Sequence, residues 1–473
     1  MQISIKKKSI PNSENEITFL VKSNQLNEIN ISQEEKKYFL NKIKSSKENI
    51  VSINRLNQNF VLVNCDKEIN NYKDSEFYRN IGHKLNKVLD SKHIINVIDT
   101  VNKSDILNCI LEGLALTGYE YDRFKKQKKD LKIIVDSDQD QNLNFDELIS
   151  VIESTFLCRD LVNDPFSHLK AKDLATIIKK LGKKNNFKTK HFFKSDIKKM
   201  KMGGLLAVNQ GSLDEPSFSI LEHKPNNAVN KRPLILVGKG IVYDTGGLSL
   251  KPTKGMDIMK VDMGGAACVI SAINAVAKSN LSVYVIGLIP ATDNRPSGNA
   301  YAPGDVVEMY DGTNVEVLNT DAEGRMILAD ALSYAKKFDP ELVIDMATLT
   351  GSAARAIGHF GIVSMHNKAE KQHQKLKEAG LEVYERLAEM PFWDEYDELM
   401  KSDIADIRNI GNADFAGAIT AGKFLVHFTD YPWIHLDIAG PTYVTTEFGY
   451  RGKGATAIGV RLIYNFIKNY TNI

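Results

Sequence analysis

Cysteine is scarce in this 473-residue sequence: only Cys65, Cys109, Cys158 and Cys268, scattered and with no CxxC pair. That spacing excludes a disulfide framework and a cysteine-held zinc site, and it points to a reducing, cytoplasmic setting. The ten histidines form no HExxH, so a zinc site on that helical motif is excluded as well. No apolar run approaches the roughly 18 residues that a membrane span needs. The opening residues, MQISIKKKSIPNSENEITF, carry charge without an apolar stretch, and no secretory signal is expected there. An excess of one charge sign is also missing: 61 Lys and Arg stand against 59 Asp and Glu, for a net charge of +2. Nothing in that balance calls for a nucleic-acid or an acidic partner.

The chain is long enough for a small and a large domain, and 43% hydrophobic with 25% charged residues is ordinary for a globular protein. Composition shifts near residue 150. Before it the chain is rich in Lys, Asn and Ile; after about residue 200, Gly-rich turns separate apolar runs. The first part contains strand-like runs at 59–65 (NFVLVNC) and 131–135 (LKIIV) and a helix-like stretch at 106–116 (ILNCILEGLAL). It therefore reads as a small folded α/β domain over 1–144. Residues 145–162 have helical apolar spacing and read as a linking helix, with the larger domain over 163–473.

The larger part alternates strand and helix. Strands are expected at 232–241, 282–291, 341–349 and 433–440, and helices at 265–278 and 325–338. The predicted fold class is therefore α/β: a small N-terminal α/β domain plus a larger one with a central, largely parallel sheet covered by helices. Ligand groups in such sheets gather at the carboxyl ends of the strands.

Charged residues concentrate at those ends. GKGIVYDTGGLSLKP supplies Lys239, Asp244 and Lys251, MDIMKVDMGGAA supplies Asp262, and NTDAEGR supplies Asp321, Glu323 and Arg325. Carboxylates at close quarters repel unless cations neutralise them. Four carboxylates balance two divalent ions, and a metal pair about 3.5–4 Å apart clamps a hydrolytic transition state. Asp321 and Glu323 point the same way only in an extended or turn segment, where Gly324 permits a close approach.

These stretches, with HLDIAG at 435–440, resemble the leucyl (cytosol) aminopeptidase family of dinuclear metallopeptidases. The likeness runs from RDLVNDP (159–165) to the helix near GVRLIYNFI, and is loose over the first 150 residues. Asp293 stands where that family usually has Glu, outside the metal motifs. The resemblance implies hydrolysis of the N-terminal peptide bond of peptides, favouring Leu and other apolar residues. It implies two divalent ions, Zn2+ and/or Mn2+: one held by Asp244, Asp321 and Glu323, the other by Lys239, Asp244, Asp262 and Glu323. Lys251 would act as electrostatic stabiliser, and Arg325 would hold a bicarbonate anion as general base. Lys239, Asp244, Lys251, Asp262 and Asp321 would also face the substrate, with Met259, Thr348, Gly351 and Ala439 lining its side-chain pocket. A cytoplasmic homohexamer without membrane partners is the implied assembly. The rival reading is a binding or regulatory protein, DNA binding included, on the same fold. An intact set of seven polar site residues argues against lost chemistry.

Three further signals read as bland. DSDQDQNLNFDE (136–147) resembles a calcium loop, but Gln141 replaces the Gly of the sharp turn and a strand, not a helix, precedes it; an acidic turn is expected. GKG (238–240) is not continued into a phosphate-binding loop. The lysine runs at 6–8 and 124–129 read as solvated faces, and His435 as a core residue.

Overall fold

The computed structural model describes residues 2–11, 14–89, 94–127, 130–137 and 144–470. Half of the calcium-like loop, residues 138–143, and Lys128 and Lys129 of the second lysine run lie outside the described residues. The chain forms two compact units: residues up to Phe156 with Thr446–Gly452, and Leu157–Thr445 with the residues from Lys453 on.

The first unit is built on a six-stranded sheet. In spatial order its strands are Gln2–Lys7, Asp130–Ser137, Ile94–Asp99, Glu16–Val21, Gln58–Asn64 and Ile50–Arg55. All neighbours pair in parallel except the last two, which form an antiparallel edge. The strand-forming residues are the β-branched and aromatic ones anticipated at 59–65 and 131–135. Helix Gln33–Ser46 starts at a capping box. Ser32 Oγ accepts the Glu35 amide at 3.2 Å, and the Glu35 carboxylate accepts the Ser32 amide at 2.7 Å. Asp136, the first position of the calcium-like motif, is a strand residue whose carboxylate accepts the Ile10 amide at 2.9 Å.

The helix Phe145–Asn163 begins in the first unit and ends in the second. Residues 446–452, which local sequence assigns to the larger part, belong to the first unit. Tyr450 donates to Glu76 at 2.8 Å, and Arg451 donates to the same carboxylate at 3.3 Å, across 374 and 375 residues of chain. A pairing so remote leaves no local signal.

The second unit carries a nine-stranded sheet. Its central strands, Trp433–Asp437, Leu342–Ala347, Leu234–Gly238 and Val285–Asn294, run parallel. Antiparallel strands flank them on both sides: Ile362–Asn367 next to 433–437, and Ser217–His223 next to 285–294. Every residue of the four central strands is buried, because helices cover both faces. The helix Gly264–Lys278 is rich in Gly and Ala and buried over 264–277, so its backbone lies close against the sheet. One expected element divides. The run 232–241 is two strands, Leu234–Gly238 and Gly240–Asp244, parted at Lys239. The first pairs with 285–288 and 342–346; the second pairs only with the far end of 285–294. His435 is buried in the core, its Nδ1 2.6 Å from Asp345, whose other oxygen accepts Trp433 Nε1 at 2.7 Å.

Candidate active site

The break in the strand puts Lys239 where the carboxyl ends of the parallel strands converge. Asp244 ends strand 240–244, Asn294 ends strand 285–294, Thr348 follows strand 342–347, and Asp437 ends strand 433–437. Asp262 follows the short turn Met259–Val261 and precedes helix 264–278. Asp321 lies in a turn, and Glu323 is the first residue of helix Glu323–Ala335.

The side chains form two linked groups. Lys239 Nζ lies 2.7 Å from Asp262 and 3.0 Å from Glu323, and donates to the Thr348 carbonyl at 3.0 Å. Thr348 Oγ1 in turn donates to Asp262 at 2.8 Å. Lys251 Nζ lies 2.7 Å from Asp244 and 2.5 Å from Asp321. Asp244, Asp262 and Glu323 join the groups: one oxygen from each falls within 4.8 Å of the others. The four carboxylates outnumber the two ammonium groups among them. All of these side chains except Lys251 and Asp321 are nearly inaccessible.

Gly324 is required by this geometry. A Cβ there would stand 2.3 Å from Lys239 Cε, so any larger residue would push the lysine out of the cluster. Gly246, with φ +86°, turns the chain back so that its amide donates to Asp244 at 2.8 Å.

Electrostatics follow from burial. Desolvation pushes the Asp262 carboxyl well above its usual range; Lys239 opposes that shift, while Glu323 and Asp244 add to it. Asp321 is pushed up to about 7 by burial and by Asp244 and Glu323, against Lys251. Burial pulls Lys239 and Lys251 down, but the surrounding carboxylates outweigh it and hold both above the ordinary lysine value. Arg325 is buried, and desolvation draws its guanidinium down to about 10 against Glu323 and Asp437. Its Nη1 donates to the Asn409 carbonyl at 2.6 Å, while Nε is buried without a hydrogen-bond partner.

Of the residues expected from sequence, seven polar ones and Thr348 thus occupy the ends of neighbouring elements. Met259 and Ala439 are half-buried, and Gly351 opens helix Gly351–Ile357 on an exposed face. Several supporting residues carried no clear sequence signal. Asn294 Nδ2 donates to Asp244 at 2.9 Å and to the Thr320 carbonyl at 3.0 Å. Asn409 clamps the approach to Asp321, accepting the Leu318 amide and donating to the Asn319 carbonyl. Asp437, inside a quoted motif but given no role, accepts Leu349, Thr350 and Ala439, tying 348–351 to 439. Asp293 faces away, paired with Ser212 at 2.6 Å and Arg295 at 3.0 Å.

The residues fit divalent cations. Glu323 Oε2 is buried with no hydrogen-bond partner, Asp262 Oδ2 and Asp321 Oδ1 meet only lysine ammonium, and hard carboxylate oxygens suit such ions. Fold and cluster together are those of a metal-dependent hydrolase on an α/β sheet. The model of the cytosol aminopeptidase family, catalytic domain, matches residues 156–464. A "Probable cytosol aminopeptidase" of Chlorobium phaeobacteroides is 44% identical over 380 residues, covering 76% of this chain and 74% of that protein. One of the same description from Clostridium perfringens is 38% identical over 424 residues, covering 86% and 85%. Among solved structures, the bottromycin maturation enzyme BotP in complex with Mn superposes with a TM-score of 0.85 at 25% identity, over 97% of this chain and 99% of that one. The chain belongs to the cytosol aminopeptidase family of metal-dependent aminopeptidases.

A carboxyl group whose folded value is raised binds more protons folded than unfolded. It therefore favours the fold at low pH, and that contribution is lost as pH rises from about 4 through the folded value. With Asp321 held at about 7, the metal-free protein should lose thermal stability between pH 5 and pH 8. Divalent cations bind the ionised form, so added Mn2+ should raise the melting temperature more at pH 8 than at pH 5.5. Asp321→Asn should shrink that difference. Equal shifts at both pH values in scanning calorimetry would contradict this account of the cluster.

Proposed function

We propose that this aminopeptidase works with two divalent cations, Zn2+ and/or Mn2+, and prefers Leu and other apolar N-terminal residues. The observation that carries the reading is the excess of carboxylates over ammonium groups, with orphaned buried oxygens, at the carboxyl ends of the parallel strands. Asp244, Asp321 and Glu323 would hold one ion, and Lys239, Asp244, Asp262 and Glu323 the other. Mn2+ is favoured as one candidate by the manganese complex of BotP. When bound, such ions polarise the scissile carbonyl and acidify water.

The chain's own groups do the rest. Lys251 keeps its proton beside Asp244 and Asp321, and its Nζ donates to the oxyanion that develops on the scissile carbonyl. Arg325 keeps its charge at neutral pH, and its unpartnered Nε supports the reading of an anion-binding guanidinium. A planar bicarbonate suits it bidentately and would serve as proton acceptor. Met259, Thr348, Gly351 and Ala439 would border the first side-chain pocket, and the free α-amine of the substrate would anchor at the cluster. A cytoplasmic setting agrees with four unpaired, buried cysteines. A homohexamer is the proposed assembly.

Three measurements bear on this. A leucyl chromogenic amide should be hydrolysed and its N-acetylated counterpart left intact, with a chelator abolishing turnover; comparable turnover of both substrates would exclude the exopeptidase assignment. Light scattering should report about six chains, and a fully active monomer would refute the assembly. Lys239→Arg tests the lysine ligand. Its ammonium must lose a proton to bind a metal, at roughly 4–5 kcal/mol from a reference value near 10.4 at neutral pH. A dication at bonding distance supplies that, whereas guanidinium stays protonated. Lys239→Arg should therefore lose one metal and nearly all activity. Two bound metals and near-normal rates in the variant would show Lys239 to be an ion-pair partner only.

A further inference from the structure

A second set of metal-ligating side chains lies on the large sheet, away from the residues discussed so far. Among the described residues, two groups of His, Cys, Asp or Glu bring ligand atoms within 4.8 Å of one another. One is Asp244, Asp262 and Glu323; the other is His366, His373 and Glu389. The latter three come from three elements: strand Ile362–Asn367, helix Glu370–Glu382 and the sheet-edge strand Leu387–Glu389. Strand 362–367 runs antiparallel to 433–437, with Val363 opposite Asp437 and His366 opposite Ile434. His366 therefore sits toward the amino-terminal ends of the parallel strands, away from the carboxyl ends where Asp244 and Asp437 lie.

The Glu389 carboxylate reaches toward both rings. Glu389 Oε1 is 3.3 Å from His366 Nε2, and Oε2 is 3.7 Å from His373 Nδ1. Ligand atoms on a tetrahedral zinc with bonds of about 2.0–2.1 Å stand about 3.3 Å apart; the ligand atoms here lie within 4.8 Å of one another, so side-chain rotation brings them to that spacing. The two imidazoles face each other, ring centres 4.6 Å apart and planes inclined by 33°. His373 Nε2 lies 2.9 Å from Ser364 Oγ. A bond donated there fixes the tautomer and leaves the Nδ1 lone pair turned toward Glu389, as an outer hydrogen bond does for metal-binding histidines. Ser364 is itself held in register with Glu389, and its carbonyl accepts the Met390 amide at 3.0 Å. His366 Nδ1 is buried with no hydrogen-bond partner, so that ring is not oriented by a second protein bond.

We propose that His366, His373 and Glu389 form a binding site for a divalent transition metal of the zinc class. Two imidazoles and one carboxylate select zinc and its neighbours over magnesium or calcium, and leave a fourth position for water. Bound there, the ion ties the three-residue edge strand and helix 370–382 to the sheet. The competing group is Lys377, whose Nζ is 3.1 Å from Glu389 Oε2. It is partly exposed on a flexible stem and swings aside when the metal takes the carboxylate.

The test uses the full chain, stripped with a chelator and titrated with zinc alone against a chromogenic competitor. The wild type should bind one more zinc per chain than His366→Ala or the isosteric Glu389→Gln, with both variants retaining the wild-type circular dichroism and peptidase rate. Lys377→Ala should tighten the additional site several-fold by removing the competing cation. Equal zinc counts in the wild type and in folded Glu389→Gln would overturn the site. So would a Lys377→Ala protein that binds the additional zinc no more tightly. Neither result depends on what the Asp244 cluster does, because the difference is read between proteins in which that cluster is intact.

Discussion

Buried negative charge in excess of its protein counterions is the constraint around which the larger unit is organised. Four carboxylates share a desolvated space with two ammonium groups. A lone buried carboxylate is costly, and a group of them is costlier, since like charges repel strongly where the dielectric is low. The protein does not remove the problem by protonation alone or by adding basic residues. It holds the carboxylates at fixed positions and leaves oxygens such as Glu323 Oε2 without partners. A site that is uncomfortable without cations binds them tightly, because the binding energy includes relief of that repulsion.

The surrounding structure keeps the carboxylates from relaxing apart. Asp244 is pinned from two sides, by the Gly246 amide and by Asn294. Thr320, beside Asp321, is fixed by reciprocal bonds with Ser249 and by its carbonyl, which accepts both Asn294 and Tyr301. Asn409 grips 318–319 and offers its carbonyl to Arg325, so one residue braces both the acidic turn and the guanidinium beside it. These are rigid backbone-linked bonds at strand ends, where the sheet itself provides the stiffness. A cluster on a mobile loop would move apart and lose its affinity for dications.

The two lysines hold the same formal charge and differ in setting. Lys239 is enclosed, packed closely against Gly324, and sits between Asp262 and Glu323. Lys251 lies at the more open side, between Asp244 and Asp321. On the proposed reading, the enclosed amine would exchange its proton for a metal and the partly exposed ammonium would meet a substrate oxygen. The His366, His373 and Glu389 group is of another kind: nitrogen-rich, near neutral, and set at a sheet edge instead of a convergence of strand ends.

The local pattern of residues was enough to specify the α/β class, the parallel central strands and seven charged residues that the fold gathers at the ends of neighbouring elements. Period-two and helical spacing, and charge placed just after apolar runs, are encoded within a few residues of one another. The chain sequence alone did not reveal that the run 232–241 divides at Lys239, because only packing against helix 264–278 and the neighbouring strands decides where a continuous apolar stretch leaves the ladder. It did not reveal the bracing by Asn294, Asn409 and Asp437, or the inclusion of 446–452 in the first unit through Glu76. Nor did it join His366 and His373 to Glu389, which the chain carries on three separate elements. Each of these rests on contacts between separate elements of the chain, and such contacts come into being only when the sheet has closed and set their distances.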